Sequence, residues 1–126
     1  MKSQLVILSK TAGWIVFSLG VIHTANTILV VRNSAVLGKG WQGIFLFMYI
    51  ATGLACLLAG SGMLISVKKE IRDFNVSRHL FMISAIFMLL LGIGAPIAMS
   101  NNPFGYISLI VGVFATAVAM LRFKKH

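Results

Sequence analysis

The chain has 126 residues, of which 59% are hydrophobic and 10% are charged, whereas soluble domains average about 45–50% and about 25%. This length predicts one domain, residues 1–126, and the composition excludes an ordinary soluble module. The net charge of +9 does not indicate nucleic-acid binding, because the eleven lysines and arginines lie at the ends of apolar stretches and not along one helix face. The lipid bilayer is therefore the first expected partner.

Four apolar stretches are each long enough to cross a membrane, which takes about 20 residues in a helix. They predict helices over residues 9–31, 43–67, 78–99 and 103–121. The last two come from one charge-free run, which is interrupted by the polar turn Ser100-Asn101-Asn102-Pro103. The predicted fold class is therefore all-α, a four-helix bundle of a polytopic membrane protein.

The first predicted helix contains the one titratable side chain that lies well inside a span, His23. Asn26 and Thr27 follow at i+3 and i+4, so the three side chains are expected to share one helix face. Ionisable groups are costly in a bilayer, and such a residue is therefore a functional candidate by default. Apart from Lys10 and Arg78 at the ends of their spans, no Asp, Glu, Lys or Arg occurs within a predicted span.

The first loop, residues 32–42, is predicted to lie outside the membrane, and the second helix follows it. Tyr49, Thr52 and Cys56 form a stripe at i, i+3 and i+7 of this helix. At about 1.5 Å per residue, Thr52 lies at the same depth as His23 in the first helix. The polar groups of these two helices are therefore expected to converge in the outer half of the membrane.

The third helix follows a basic loop and contains Gly92, Gly94 and Pro96 near its outer end. Pro96 removes a backbone hydrogen bond and is expected to bend or fray the helix there. A glycine-rich end of this kind either lines a cavity or lets helices approach closely. In the fourth helix, Pro103 takes the first-turn position that needs no donor, with Asn102 as the predicted cap.

Glycine spacing predicts where the helices pack most closely. Gly13 and Gly20 are seven residues apart in the first helix, and so are Gly53 and Gly60 in the second. A spacing of seven returns nearly to the same helix face, where each glycine can admit the backbone of a neighbouring helix. We therefore expect the first two helices to form a tightly packed pair.

The distribution of basic residues predicts the orientation. Most of them lie near the two ends of the chain and in the loop between the second and third helices, which share one side of a four-span bundle. Arg32 and Lys39 belong to the opposite side. By the positive-inside rule both termini are predicted to be cytoplasmic, in the cytoplasmic (inner) membrane of a bacterial-type cell.

Two interpretations of the polar cluster stay open at this point. In the first, its His, Asn, Thr and Tyr side chains form hydrogen bonds between the first two helices, at about 0.6 kcal/mol per contact. In the second, they line a pocket that opens toward the outer leaflet and takes a quinone, a lipid or another small amphipathic molecule. Neutral His23 and Tyr49 would then supply the few orienting hydrogen bonds that such a site requires.

Catalytic and metal-binding motifs are missing from the sequence. No zinc-ligand spacing, P-loop, GxSxG motif or nucleophile–base pair occurs. The sequence therefore predicts no catalytic residue, no metal site and no bound cofactor, with quinone or lipid as the ligand of the pocket alternative. Nothing in it points to an enzyme.

Three short segments resemble the small, four-helix DoxX-like membrane proteins. They are Gly13-Trp14 with Leu19-Gly20-Val21-Ile22-His23-Thr24, Thr52-Gly53-Leu54, and Asn102-Pro103-Phe104. The resemblance implies the same four-helix layout. Some members of that group are accessory subunits of membrane redox systems that act on quinone, which implies a noncatalytic or quinone-proximal role for His23.

The leading functional hypothesis from the sequence is a small accessory or scaffold subunit that packs against other membrane subunits or against itself. The alternative is a binder or carrier of a small amphipathic molecule, a quinone or a lipid. Its candidate ligand-binding residues are His23, Asn26, Thr27, Tyr49 and Thr52. The third and fourth helices carry almost no polar groups and are expected to form an apolar wall opposite this site.

Overall fold

The computed structural model describes residues 2–36, 38–68, 74–98 and 103–124, and no strand occurs in these segments. The helices are α1 (Lys2–Ala25), α2 (Thr27–Asn33), α3 (Lys39–Lys68), α4 (Phe74–Ala98) and α5 (Pro103–Phe123), with a 3-10 turn at Ser34–Val36. Four of them, α1, α3, α4 and α5, are long and apolar enough to cross a membrane. The predicted all-α fold with four membrane-length helices is confirmed, and the chain has the architecture of a multi-pass membrane protein.

Three of these helices, α1, α3 and α4, begin earlier than the sequence predicts. α1 begins at Lys2, because the exposed side chain of Lys10 is long enough to carry its charge away from the apolar surface and does not end the helix. α3 begins at Lys39, where the backbone N–H of Gln42 donates to the carbonyl of Gly38 at 3.0 Å. Most of the predicted first loop is therefore helical.

α4 also begins early, at Phe74 and not at residue 78. Its first turn is anchored to two other helices. The hydroxyl of Ser77 donates to the carbonyl of Ser66 in α3 at 2.6 Å, and the ring of Phe74 lies 5.8 Å from that of Phe123 in α5. Packing against α3 and α5 therefore extends α4 into polar residues that were predicted to form a loop.

The first predicted span consists of two helices. α1 ends at Ala25 and α2 begins at Thr27, with Asn26 between them. Backbone hydrogen bonds continue across the junction, from Asn26 N–H to the Ile22 carbonyl at 3.0 Å and from Val30 N–H to the Asn26 carbonyl at 3.1 Å. The interruption is therefore confined to Asn26, whose backbone hydrogen bonds link α1 to α2.

The two prolines act at opposite ends of helices. α5 begins at Pro103, as predicted; its proposed cap, Asn102, lies outside the described residues. Pro96 lies inside α4, which continues beyond it to Ala98, so the predicted fraying does not begin at the proline. Pro96 has no N–H, and the carbonyl of Gly92 therefore lacks its usual intrahelical donor.

The helices pack as two close pairs. α1 packs mainly against α3, and α4 packs mainly against α5. Less extensive contacts between α3 and α4 and between α1 and α5 close the ring of four helices. The arrangement is that of an antiparallel bundle in which successive long helices are neighbours.

Glycines form the contact between α1 and α3, as the spacing predicts. A Cβ added at Gly20 would lie 2.7 Å from the backbone nitrogen of Leu57, and one at Gly60 would lie 2.5 Å from the backbone nitrogen of Phe17. Side chains at these positions would collide with the partner backbone, so the glycine-seam prediction is confirmed. The other two predicted seam glycines face Leu64 (Gly13) and Thr24 (Gly53).

A second glycine seam joins α4 to α5. A Cβ at Gly92 would lie 2.7 Å from the Cα of Leu109, and one at Gly112 would lie 2.6 Å from the carbonyl oxygen of Met88. The sequence carries a signal for this seam as well, because Gly105 and Gly112 are seven residues apart in α5 and a Cβ at Gly105 would lie 3.1 Å from the backbone of Ala95. Close backbone approach therefore stabilises both pairs.

The bundle is filled by a few large side chains and is apolar on the outside. Phe81, Met63 and Met88 are completely buried. At most 39% of the most apolar window of any spanning helix is buried within the bundle. The remaining apolar surface faces outward, as expected of helices that are hydrophobic all round and surrounded by lipid.

Candidate functional site

A cavity of about 420 Å³ lies where the two helix pairs meet. This volume falls within the range of about 300–1,000 Å³ that is usual for small-molecule sites. We call it the His23 cavity. Its lining consists of His23 from α1, Phe45, Met48, Tyr49 and Thr52 from α3, Leu91, Gly94 and Ala95 from α4, and Phe104 from α5.

The imidazole of His23 is held between two aromatic rings. Only 2% of the residue is exposed. Its ring stacks on Tyr49 with centroids 3.9 Å apart and planes inclined by 21°, and it lies 4.5 Å from the ring of Phe104 at an angle of 38°. Both faces of the imidazole are therefore covered, one from α3 and the other from α5.

The two ring nitrogens of His23 have different surroundings. Nε2 lies 3.1 Å from the backbone carbonyl oxygen of Tyr49, a hydrogen bond that joins α1 to α3. Nδ1 is buried and has no hydrogen-bond partner among the residues that the structure describes. A buried polar atom without a partner is uncommon in folded proteins and calls for an explanation.

Three of the five predicted site residues, His23, Tyr49 and Thr52, line the same cavity. Asn26 and Thr27 do not line it. Asn26 is exposed at the junction of α1 and α2, and the Thr27 hydroxyl is buried without a partner in the described segments. The cavity extends from His23 toward α4 and α5, and not outward along the first span. The helical turn that follows His23 and contains Asn26 and Thr27 therefore does not line it.

The predicted depth match between the first two spans agrees with the packing. A Cβ at Gly53 would lie 3.3 Å from Cδ2 of His23, so Thr52 and His23 are close to level. Among the predicted cluster residues, the recorded hydrogen bond between helices is that of His23 to Tyr49. The Thr52 hydroxyl donates within its own helix, to the Met48 carbonyl at 2.8 Å. Interhelical hydrogen bonding therefore accounts for one member of the cluster.

The third and fourth helices, expected to form an apolar wall opposite the site, contribute apolar residues to the lining of the cavity. α4 supplies Leu91, Gly94 and Ala95 to the cavity, and α5 supplies Phe104. The sequence offered one signal for this, the glycine-rich end of the third helix. Both readings of that end are realised, because Gly92 packs against α5 whereas a Cβ at Gly94 would meet nothing within 4 Å.

The described residues contain no cluster of three or more His, Cys, Asp or Glu side chains that could hold a metal ion. Cys56 is a free, fully buried thiol in α3. Comparison with protein-family models, with curated proteins and with solved structures gave no match. The function of the chain therefore has to be inferred from the His23 cavity.

Proposed function

We propose that this protein binds or carries a small amphipathic molecule in the His23 cavity. The observation that carries the proposal is an apolar cavity of ligand size whose lining includes the side chains of His23, Tyr49 and Thr52. Small-molecule sites combine a mostly apolar lining with a few placed polar groups. Here His23 and Thr52 are such groups, and three aromatic rings with one methionine supply the apolar contacts.

Quinones and lipids are the candidate ligands, since both have an apolar body and reach their sites from the bilayer. The resemblance to DoxX-like proteins, some of which serve quinone-dependent membrane systems, agrees with a quinone-proximal position for His23. The protein in this proposal is a noncatalytic binder. The ligand is held by packing and oriented by hydrogen bonds.

The cavity is proposed to lie in the outer half of the inner membrane, with both termini in the cytoplasm. Its lining comes from the C-terminal parts of α1 and α4 and from the N-terminal parts of α3 and α5, which meet at one end of the bundle. Most basic residues belong to the opposite end. The positive-inside rule supports a cytoplasmic position for that opposite end.

Thiol labelling of intact cells tests this orientation. Ala35 and Lys124 are exposed at opposite ends of the bundle, and Cys56 is fully buried and serves as the unreactive background. We expect a membrane-impermeant maleimide to label Ala35→Cys in intact cells and Lys124→Cys only after permeabilisation. The reverse pattern would show that the cavity faces the cytoplasmic leaflet.

Filling the cavity should abolish ligand binding without unfolding the protein. Gly94 lines the cavity, and an added Cβ there meets nothing within 4 Å, so Gly94→Leu places a side chain in the empty volume. Leucine is also a better helix former than glycine by up to about 1 kcal/mol. We expect solvent extracts of the purified wild-type protein to contain a small molecule, detected by mass spectrometry, that is depleted at least tenfold in Gly94→Leu.

Gly43→Leu is the matched control for this experiment. Gly43 is also helical and also has open space around an added Cβ, but it does not line the cavity. We expect its extract to match that of the wild type. A wild-type extract with no bound molecule, or equal amounts in all three preparations, would contradict the proposed binding function.

The accessory-subunit hypothesis has one supporting observation, a shallow groove between α3 and α4. This groove has a volume of about 290 Å³ and is lined by Ala55, Leu58, Ala59, Ile83, Ser84 and Phe87. Ala55, Ala59 and Ser84 are small residues, which let a further helix approach closely. A native mass spectrum of the gently solubilised protein distinguishes the two functions, since a stoichiometric protein partner or a second copy supports the subunit and a monomer with a small molecule supports the binder.

A further inference from the structure

We propose that a groove between α1 and α3 binds one anionic phospholipid, whose phosphate contacts Lys10 and whose acyl chain lies along the groove. This groove has a volume of about 510 Å³ and is lined by Lys10, Trp14, Ser61, Leu64 and Ile65. We call it the Lys10 groove. Lys10 and His23 are thirteen residues apart in α1, about 20 Å, so this second site is separate from the His23 cavity and does not depend on the proposed function.

The packing of α1 on α3 fixes the depth of Lys10. A Cβ at Gly13 would lie 3.3 Å from the backbone nitrogen of Leu64, so these two residues are level. Lys10 precedes Gly13 by three residues. Because the two helices are antiparallel, Lys10 lies level with Val67, the last apolar residue of α3, which ends at Lys68. The Lys10 side chain therefore starts at the level where the apolar part of α3 ends, which is where a headgroup is expected.

The rest of the Lys10 groove runs from this level toward the middle of the bundle. Ser61 precedes Val67 by six residues in α3, which corresponds to about 9 Å. Between these levels the groove is walled by Trp14, Leu64 and Ile65. A cation at the polar boundary with an apolar groove below it matches a phospholipid, in which a phosphate is attached to acyl chains.

The polar groups of the Lys10 groove suit an anion. The ammonium of Lys10 and the indole N–H of Trp14 can only donate hydrogen bonds, and the hydroxyl of Ser61 can donate or accept. The segments that the structure describes contain no Asp or Glu, so they offer no carboxylate to pair with Lys10 or with the ammonium of a zwitterionic headgroup. A net anionic headgroup is therefore favoured, as in other basic pockets between transmembrane helices.

A free anion does not account for the whole groove. Inorganic phosphate would contact Lys10 but would leave the apolar walls without an occupant. Trp14 and Ile65 are exposed on the outer surface of the bundle, so an acyl chain can enter the groove from the bilayer without separating the helices. The lipid is therefore the occupant that matches both parts of the groove.

Trp14 can report on this site, because a bound lipid places an acyl chain beside its indole. Trp41, the other tryptophan of the chain, does not line the groove and is removed in a Trp41→Phe background. Nanodiscs of phosphatidylcholine then receive a small fraction of either phosphatidylglycerol or phosphatidylcholine with brominated acyl chains, which quench indole fluorescence on contact. We expect quenching of Trp14 to give an apparent affinity about fivefold or more higher for phosphatidylglycerol, since one basic residue contributes about 1 kcal/mol toward an anionic lipid.

Three lysine variants in the same background separate the groove from the general positive charge of the chain. Lys10→Gln is expected to bring the two brominated lipids to equal quenching, whereas Lys10→Arg keeps the charge and the preference. Lys124→Gln is the matched control, because Lys124 is an exposed lysine at the same end of the bundle that does not line the groove. It is expected to keep the full preference for phosphatidylglycerol.

Three results would overturn the proposal. The first is equal quenching of Trp14 by the two lipids when Lys10 is present. The second is an equal loss of preference in Lys10→Gln and Lys124→Gln, which would assign the preference to net charge. The third is reversal of the phosphatidylglycerol quenching by millimolar inorganic phosphate at constant ionic strength, which would show that the groove selects a free anion and not a lipid.

Discussion

Gly60→Leu is expected to separate α1 from α3 and to lower the free energy of unfolding by about 3 kcal/mol or more. A Cβ at Gly60 would lie 2.5 Å from the backbone nitrogen and 2.6 Å from the Cα of Phe17. Rotating the new side chain cannot relieve contacts with backbone atoms, so the two helices have to move apart. Unfolding in mixed micelles with increasing dodecyl sulfate measures the loss.

The control for this variant is the same exchange in the same helix. Gly43→Leu adds an identical side chain to α3 at a place where a Cβ meets nothing within 4 Å. Its unfolding free energy is expected to stay unchanged or to rise by up to about 1 kcal/mol, because leucine is a better helix former than glycine. Equal destabilisation by the two leucines would mean that the seam between α1 and α3 does not stabilise the bundle.

Phe81→Ala is expected to cost about 3 kcal/mol of unfolding free energy, the low end for a buried phenylalanine. Phe81 has no exposed surface, and its ring lies 6.0 Å from that of Phe123 and 5.5 Å from the guanidinium of Arg122. Removing the ring leaves a cavity and takes one aromatic partner from Arg122. The low end applies because the lipid that solvates the unfolded helices is also apolar.

Phe87→Ala provides the comparison on the same helix. Phe87 is 39% exposed on the outer surface of α4, where lipid can fill the space that its ring leaves. We expect a loss below about 1 kcal/mol, measured by the same micelle titration. A loss as large as that of Phe81→Ala would indicate that burial within this bundle contributes little to its stability.

The four apolar stretches predict the number and type of the long helices, because a bilayer leaves few alternatives to a helix of about 20 apolar residues. Helix ends are less predictable. Lys10 and Lys39 come directly before charge-free stretches and do not end the helices, because a long charged side chain can lie on a helix and reach polar surroundings. The early start of α4 depends on contacts of Phe74 and Ser77 with other helices, which a local pattern does not contain.

The candidate site was predictable only on the side of the first two spans. Glycine spacing brought these helices together, and depth then placed His23 beside Thr52. The other half of the cavity depends on how the second helix pair is seated against the first. Phe104 reaches His23 because α5 packs on α1, and no residue spacing within a single helix encodes that contact. Asn26 and Thr27 were included because helical spacing gives direction but not the extent of a cavity.

Stability and the proposed ligand selectivity depend on different residues of this bundle. The glycines of the two seams fix the distances within each helix pair. Phe45 and Met48 line the cavity and are not among the residues nearest to a seam glycine. Gly53 is an exception, since its missing Cβ leaves room for both Thr24 and His23. Substitution at Phe45 or Met48 can therefore change which molecule fits while the helix pairs keep their spacing, so the binding preference of such a bundle can diverge faster than its fold.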